Sequence, residues 1–594
     1  MCRSYRVRYL QSGLTLLLVL LVHLATGLQA WTGVGLLADD HELIGGAILR
    51  HRGDWTLAAA FLPNPDPGAV RALYRPFVDL LFWLEQPWFG IEPLGYHVVN
   101  SAMHCGTALL WAVLVRRWSG SAFAGLATAL LFVGWPGHSE VTHWIAARTT
   151  VQSVFLMSLS LLVHELAFAG ERRAAARWLY LAVAGAIAAM AIGAKESAVF
   201  VLPLAGMIAW LRRERLLSGA LHTLPMLVAV FGWLAWRAHC LGTWGSGTGY
   251  GWQATRIDAA TCFDWLRLVL VPVHTGYASA WWIAVLAPLH GAALLAAWRL
   301  RAQPQARRVL CIGMTLVLCG YLAGIGLERM FIDVLQGARY GYEPALGLAA
   351  VLAVAVASLP PGWRRLALAG TVVVHAAVLD RNREAWLGAA RVYRNMQAAV
   401  QQQAATSGAP VLVLDAPGVH EGAFAYLNSY TEFLFWQQTA PPGLALRGAV
   451  ISTQDWRRSL EVLASAAAAK APFAAQQVRW DDGGLAPLEL DAQWPATPAA
   501  EVRIGYARIA RQRPFAGTRI PIDVLLTTQV PLTLRLEGLD AAPLSVERSE
   551  TAQALQLWGA LPDDARDSGT ITLVVEGPFG VVRHALGAVT PGVR

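Results

Sequence analysis

Charge is scarce in this sequence. Only 14% of its 594 residues are Asp, Glu, Lys or Arg, against 56% hydrophobic. With a mean hydropathy of +0.43, that excludes an ordinary soluble multidomain protein and fits a chain that crosses a membrane many times. Lysine is nearly absent: of 47 basic residues only Lys195 and Lys470 are lysines. Such arginine-rich usage points to a bacterial source. Six cysteines lie scattered with no C-x-x-C pair. Cys105, Cys311 and Cys319 fall in apolar runs and read as core residues, whereas Cys240 and Cys262 share one loop and could join in an oxidising compartment. No 34-residue helical repeat is present. The net charge of +8 is carried at the ends of apolar runs, which assigns the basic balance to a membrane and not to nucleic acid.

What is present is a series of apolar runs near the length of a bilayer crossing, about 20 residues each. They fall at 13–32, 98–115, 121–137, 149–169, 178–194, 196–211, 222–239, 281–298, 309–327, 343–360 and 364–380. Eleven spans are expected, with Lys195-Glu196 forcing a turn inside 178–211 because charge in hydrocarbon is costly. Alternate connections hold the arginines: Arg3, Arg6 and Arg8; Arg116 and Arg117; Arg172, Arg173 and Arg177; Arg212, Arg213 and Arg215; Arg299, Arg301, Arg307 and Arg308; Arg364 and Arg365. Positive charge stays inside. The N-terminus is therefore expected in the cytoplasm and residues 381–594 outside, in the periplasm of a bacterial inner membrane. The first 30 residues also resemble a secretory signal; an uncleaved first span is preferred, and either reading leaves Asp39 outside. The expected division is a membrane domain over 1–380, with a first outer loop at 33–97, and a soluble α/β or α+β domain over 381–594. In the latter, "PVLVLD", "IPIDVLLTTQV" and "GTITLVVEG" read as strands and "FAYLNSYTEFLFWQ" as a helix.

Four clusters of chemically active residues fall on the outer side. The first is "LLADDHELIGG", with Asp39, Asp40, His41 and Glu42 just beyond the first span. The second is "GWPGHSEVTHWIAAR". A helix over 138–148 would put Glu140, Trp144 and Arg148 on one stripe, an acid, an indole and a guanidinium suited to a sugar-phosphate. Its His138, Glu140 and His143 do not have zinc-protease spacing; a metal held by Asp40, His138 and Glu140 stays open. The third is "GAKESAVFVLP", where Lys195, one of two lysines, suits a pairing with Glu196 or an anionic head group. The fourth is "ERMFIDVLQGARYGYEP", with Arg339-Tyr340 just before a span. Within the first outer loop, "FLPNPDPGAV" is a turn region and "LYRPFVDLLFWLEQPWFG" an aromatic, amphipathic helix, suited equally to loop packing and to the membrane interface.

These clusters, in this order, resemble the GT-C superfamily of membrane glycosyltransferases that use polyprenyl-phosphate-linked sugars, nearest the transmembrane and tetratricopeptide-repeat O-mannosyltransferases and their bacterial relatives. The similar segments are "ADDHELI", "LYRPFVDLLFWLEQPWFGIEPLGYHVVNSAMH", "PGHSEVTHWIAARTTVQSVFLMSLSLLVHE", "GAKESAVFVLPL", "ARYGYEPALGLAAVLA" and "RNREAWLGAARVYRN". Two departures stand out: Trp135-Pro136 replaces a His-Pro pair, and the repeat tail is missing. The resemblance implies a GT-C-like catalytic domain, a sugar delivered on a lipid phosphate (undecaprenyl phosphate in a bacterium), and an acceptor hydroxyl on a protein, lipid or polysaccharide. It implies an aspartate base, Asp39 first and Asp40 second, with Glu140 as a further catalytic candidate. Arg339, Lys195 and Arg148 become phosphate candidates, and His138 an orienting group. Arg75, His97, Asn100, His143, Trp144, Glu196 and Tyr340 are carried as substrate-site positions. It implies no definite cofactor; a divalent metal is left open. A polymerase or ligase of lipid-linked glycans would not need the Asp-Asp loop. A lipid-linked-glycan transporter predicts mid-span charges and inverted repeats, and mid-span charges are almost lacking here.

Overall fold

The computed structural model describes residues 2–53, 56–63, 74–169, 173–212, 216–242, 244, 257–274, 281–327 and 335–407, with strand and turn segments between 411 and 589. Most of the Pro/Gly turn region of the first loop, residues 328–334 of the fourth cluster, much of 240–280 and the expected helix beyond residue 425 lie outside them. The chain divides into two compact units, Met1–Ala390 with Glu421–Ala423, and Arg391–His420 with Phe424–Arg594.

The first unit is helical. Its α-helices run α1 Cys2–Gly33, α2 Asp40–Arg52, α3 Leu57–Phe61, α4 Pro76–Phe89, α5 Pro93–Ser119, α6 Ala122–Val133, α7 Ser139–His143, α8 Arg148–Leu166, α9 Ala174–Ala194, α10 Val201–Leu211, α11 Leu216–Leu241, α12 Ala259–Leu270, α13 Trp281–Arg299, α14 Pro304–Gly324, α15 Tyr342–Ala357 and α16 Pro361–Ser407. Among the described residues eight helices are long and apolar enough to cross a membrane, and Ala122–Val133 and Glu196–Leu211 are shorter apolar helices. The expected eleventh span, 364–380, falls inside the 47-residue α16.

Local chemistry sets the breaks. Gly120, at φ 68°, ends α5 with its N–H on the Arg116 carbonyl, and Ser121 caps α6 by accepting from Ala124 N at 3.1 Å. The turn expected inside 178–211 is present. Lys195 is extended, and a 3₁₀ turn, Glu196–Phe200, separates α9 from α10. Cys240 and Cys262 are free thiols, which corrects the disulfide expectation.

Helix α15 is the inner post: every residue from Tyr342 to Val356 is buried. It meets α14 through two glycines. A Cβ on Gly347 would lie 2.3 Å from the Gly313 carbonyl oxygen, and one on Gly313 2.8 Å from that of Gly347. Small residues let the two backbones touch. Gly347→Ala should force the helices apart and cost about 1–3 kcal/mol, read as a lower unfolding temperature in detergent.

In the second unit, strand Val411–Ala416 pairs in parallel with Gly448–Ser452 and Gln476–Asp481. Arg519–Leu526 pairs antiparallel with Ile504–Ile509 and Gln553–Ala560. Gly569–Gly577 lies between Thr533–Glu537 and Gly580–Val589, again antiparallel. Of the three runs read as strands in the sequence, the described residues 411–415, 520–526 and 569–577 lie in strands.

Candidate active site

The Asp-Asp turn follows α1 directly. Ala38 has a φ of 47°, in the left-handed region that costs a residue with a Cβ about 1–2 kcal/mol. Strain of this kind persists only where the surroundings impose it, and they do. Asp40 accepts from Leu37 N at 2.9 Å and from Ala146 N at 2.7 Å, one bond to each carboxylate oxygen. Trp144 donates its indole N–H to the Leu37 carbonyl at 3.1 Å. His41 Nδ1 lies 3.1 Å from the Ala38 carbonyl. Asp40 is fully buried. Burial raises its carboxyl well above the usual range, with the two N–H donors pulling the other way. Asp39, the N-cap residue of α2, is half-buried. Of two adjacent acids, one fastens the turn and the other remains accessible.

The expected helix over 138–148 is broken. A 3₁₀ turn, Pro136–His138, leads into α7; Trp144 is extended at φ −111°, ψ 122°; a second 3₁₀ turn, Ile145–Ala147, precedes α8. The break brings Ala146 N to Asp40. It also takes Arg148 out of the expected stripe. Arg148 is fully buried. Its Nε donates to Asn100 Oδ1 at 2.6 Å, Nη2 to the Tyr96 carbonyl at 2.8 Å, and Nη1 to Glu85. Asn100 in turn donates to the Ile145 carbonyl at 3.2 Å. Arg148 and Asn100 thus clamp the loop from below, and every guanidinium nitrogen is engaged by protein. A phosphate has no access to Arg148.

Glu140 is also fully buried and holds Arg339, accepting from its backbone N–H at 2.7 Å and from Nη1. The Arg339 guanidinium lies 5.5 Å over the Trp144 ring and 4.9 Å over the Tyr340 ring. Lys195 Nζ sits 5.2 Å from the same Tyr340 ring and donates to Thr150 Oγ1 at 2.8 Å. Two cations therefore flank one tyrosine, and Trp144 ties them to the Asp39 turn.

Lys195 does not pair with Glu196, the first of the two partners the sequence suggested for it. The extended Lys195 backbone separates the two side chains, and Glu196 bonds Arg75 and Arg237, each at 3.2 Å. His138 and His143 are fully buried. His143 Nδ1 lies 2.8 Å from the Ser139 carbonyl, and burial lowers its imidazole to about 3. His138 packs edge-on to His104 and Phe132. His97 is buried against the Val34–Gly35 backbone. Asp40, His138 and Glu140 do not form a metal set. Both carboxylates are already engaged, and among the described residues no three His, Cys, Asp or Glu side chains could hold an ion.

Burial raises Glu140 to about 7, against the attraction of Arg339. Protonation would release the carboxylate's grip. Activity is expected to fall as pH drops through about 7, and Glu140→Gln should flatten that limb of the pH–rate profile. Because the folded carboxyl binds its proton more tightly than an unfolded one, this group's contribution to stability falls as pH rises from about 4.5 to about 7.

The sequence reading missed Glu85 and Arg237. Arg237 is the one arginine of the apolar α11 and Glu85 one of two acids in the apolar α4, and that was the available signal. It also missed Glu343, buried and accepting from Ser197 Oγ at 2.6 Å.

In fold and in sequence the chain is similar to the GT-C glycosyltransferases. It superposes on ArnT from Cupriavidus metallidurans, solved with undecaprenyl phosphate bound, over 83% of this chain and 96% of that one, with a TM-score of 0.51 and 15% identity. A 129-residue stretch is 33% identical to the protein O-mannosyl-transferase tmtc2 of Xenopus laevis, and 145 residues are 29% identical to the protein O-mannosyl-transferase Tmtc1 of Drosophila melanogaster. These stretches make up 22% and 24% of this chain but only 15% and 16% of the relatives' own lengths. No family model matches.

Proposed function

We propose that the protein is an integral-membrane glycosyltransferase that moves a sugar from a polyprenyl-phosphate donor to an acceptor hydroxyl on the outer face of a bacterial inner membrane. One observation carries the reading. Trp144 donates to the turn that presents Asp39 while its ring lies under Arg339, so an accessible carboxylate and a cation group belong to one assembly. Asp39 takes the proton of the acceptor hydroxyl. That oxygen attacks the anomeric carbon, the bond from this carbon to the phosphate oxygen breaks with inversion, and polyprenyl phosphate leaves. The departing phosphate gains charge, which Lys195 and Arg339 stabilise from fixed positions. Glu140 holds Arg339 in place, and Asp40 holds the turn. The resemblance to O-mannosyltransferases favours mannose or another hexose and a protein acceptor.

The arginine pattern and the parity of the eleven expected spans support an outer location for Asp39 and for residues 381–594. The test is glycan analysis of membrane and periplasmic fractions from a deletion strain complemented with wild type, Asp39→Asn or Asp40→Asn. A sugar missing from one acceptor, restored by wild type but not by Asp39→Asn, supports transfer with Asp39 as the base. Full restoration by both variants overturns the assignment.

A further inference from the structure

His164 is 1% exposed, and neither of its ring nitrogens has a hydrogen-bond partner. Burying an unpaired polar ring is costly, and the proposed reaction does not account for it. Helix α8 begins at Arg148, below the Asp39 turn, and carries His164 about 24 Å farther along its axis. The histidine therefore lies at the opposite end of the span from the transfer site. A cationic cluster surrounds it. Arg212, where α10 ends, pairs with Glu165 at 2.7 Å, and its guanidinium lies 4.0 Å over the Phe168 ring. Arg177 of α9 lies 5.7 Å from the same ring. Phe168 meets His164 at 5.5 Å and His222 of α11 at 4.9 Å, between ring centroids. Trp118 of α5 donates to the other Glu165 oxygen at 3.0 Å. Among the described residues this cluster sets one carboxylate, Glu165, against two guanidinium groups. The neighbouring surface is apolar: Trp178 and Leu179 beside Arg177, Trp210 two residues before Arg212, and Leu217 are all exposed. Indole rings at the end of a span belong at the level of lipid head groups.

We propose that His164, Arg177 and Arg212 bind the phosphate of an anionic phospholipid, of the phosphatidylglycerol class, in the leaflet opposite the transfer site. Phosphate oxygens accept from both guanidinium groups and from the imidazole N–H, which gives the buried ring its missing partner. Basic pockets between spans on the cytoplasmic side hold such head groups, and the arginine pattern makes this end the cytoplasmic one. An anion arriving from water would meet a polar rim, whereas a phosphate carried on acyl chains meets the apolar one present here. The bound lipid ties α8, α9 and α10 together at one end, and the other ends of these helices carry Arg148 and Lys195.

The test uses the full chain, delipidated in detergent, with dioleoyl phosphatidylglycerol, dioleoyl phosphatidylcholine and inorganic phosphate as separate probes. Retained lipid is counted by native mass spectrometry, and the unfolding temperature is read on the same samples. Wild type is expected to retain phosphatidylglycerol and to unfold at a higher temperature with it. Arg177→Gln should weaken retention about fivefold. His164→Phe keeps a ring and removes both nitrogens. Without lipid it should unfold no lower than wild type, because it removes an unpaired buried polar group, and it should lose the gain that lipid gives. Arg301, exposed and stacked over the Trp298 ring at 4.2 Å, controls for surface charge in general, and Arg301→Gln should retain lipid as wild type does. Equal retention by wild type, Arg177→Gln and His164→Phe overturns the site. So does phosphatidylcholine held as tightly as phosphatidylglycerol, or an equal loss in Arg301→Gln. Inorganic phosphate that stabilises as well as the lipid overturns the lipid as ligand. The readout needs no transfer activity, so its failure leaves the proposed reaction untouched.

Discussion

Asp39→Asn should lower sugar transfer by about 10²- to 10⁴-fold, the usual worth of a positioned general base, and lower the unfolding temperature less than Asp40→Asn. Asn keeps the shape of the side chain and removes its basicity. Asp40→Asn should behave differently. An amide has one acceptor oxygen where the carboxylate offers two. Either Leu37 N or Ala146 N, both bonded to Asp40 now, would face an NH₂ group in a buried setting. An unsatisfied buried N–H costs about 1–3 kcal/mol, so this variant should unfold at lower temperature and lose activity only as far as the turn loosens. Transfer assays on proteoliposomes, paired with thermal unfolding of the same preparations, separate the two. If Asp40→Asn proved the stable, inactive variant and Asp39→Asn the weakened, active one, the roles would have to be exchanged. Ala38→Gly offers an internal check. It relieves the left-handed strain at φ 47°, and any loss of activity it causes reports how tightly that strain aims Asp39.

The sequence was most legible where charge is costly. In a chain that is 56% hydrophobic, a charged residue has to be justified, and the residues that stood out proved to be organised. Lys195 and Arg339 flank Tyr340, Glu140 holds Arg339, and Asp40 is fixed by two backbone donors. The break in 178–211 followed from the same cost. Partnership was not legible. Spacing placed Glu140, Trp144 and Arg148 on one helical face, but one extended residue, Trp144, rotates the stretch so that Arg148 faces Glu85 while Glu140 and Trp144 both meet Arg339. Nothing local announces that break. It is stabilised by Asp40, 106 positions earlier in the chain, and by Leu37 beneath the indole. Arg148 looked like a phosphate ligand because its partner, Glu85, lies 63 residues away, in an aromatic segment suited equally to loop packing and to the membrane interface. Arg237 was hidden by the hydrophobicity of α11, although it shares Glu196 with Arg75.

The Arg148–Glu85 pair supplies the second large effect. Burial raises the Glu85 carboxyl, and the Arg148 guanidinium opposes that shift. The guanidinium also lies 4.4 Å over the Phe82 ring. Removing one member of such a pair leaves an uncompensated buried charge. Arg148→Ala or Glu85→Ala should therefore cost about 3–5 kcal/mol, enough to threaten folding. A double replacement by apolar groups of similar volume, Arg148→Met with Glu85→Met, should recover most of that loss, because the pair repays little beyond its own desolvation. Recovery of activity is a separate question. Asn100 still bonds the Ile145 carbonyl in the double variant, so the loop that supports Asp40 keeps one of its two holds. The charge that locks its height against α4 is gone. The expected outcome is near-native unfolding temperature with transfer reduced several-fold. Native activity in a stable double variant would make the pair a packing element only, whereas failure of the double variant to regain stability would show that the charges themselves hold α4 on the site.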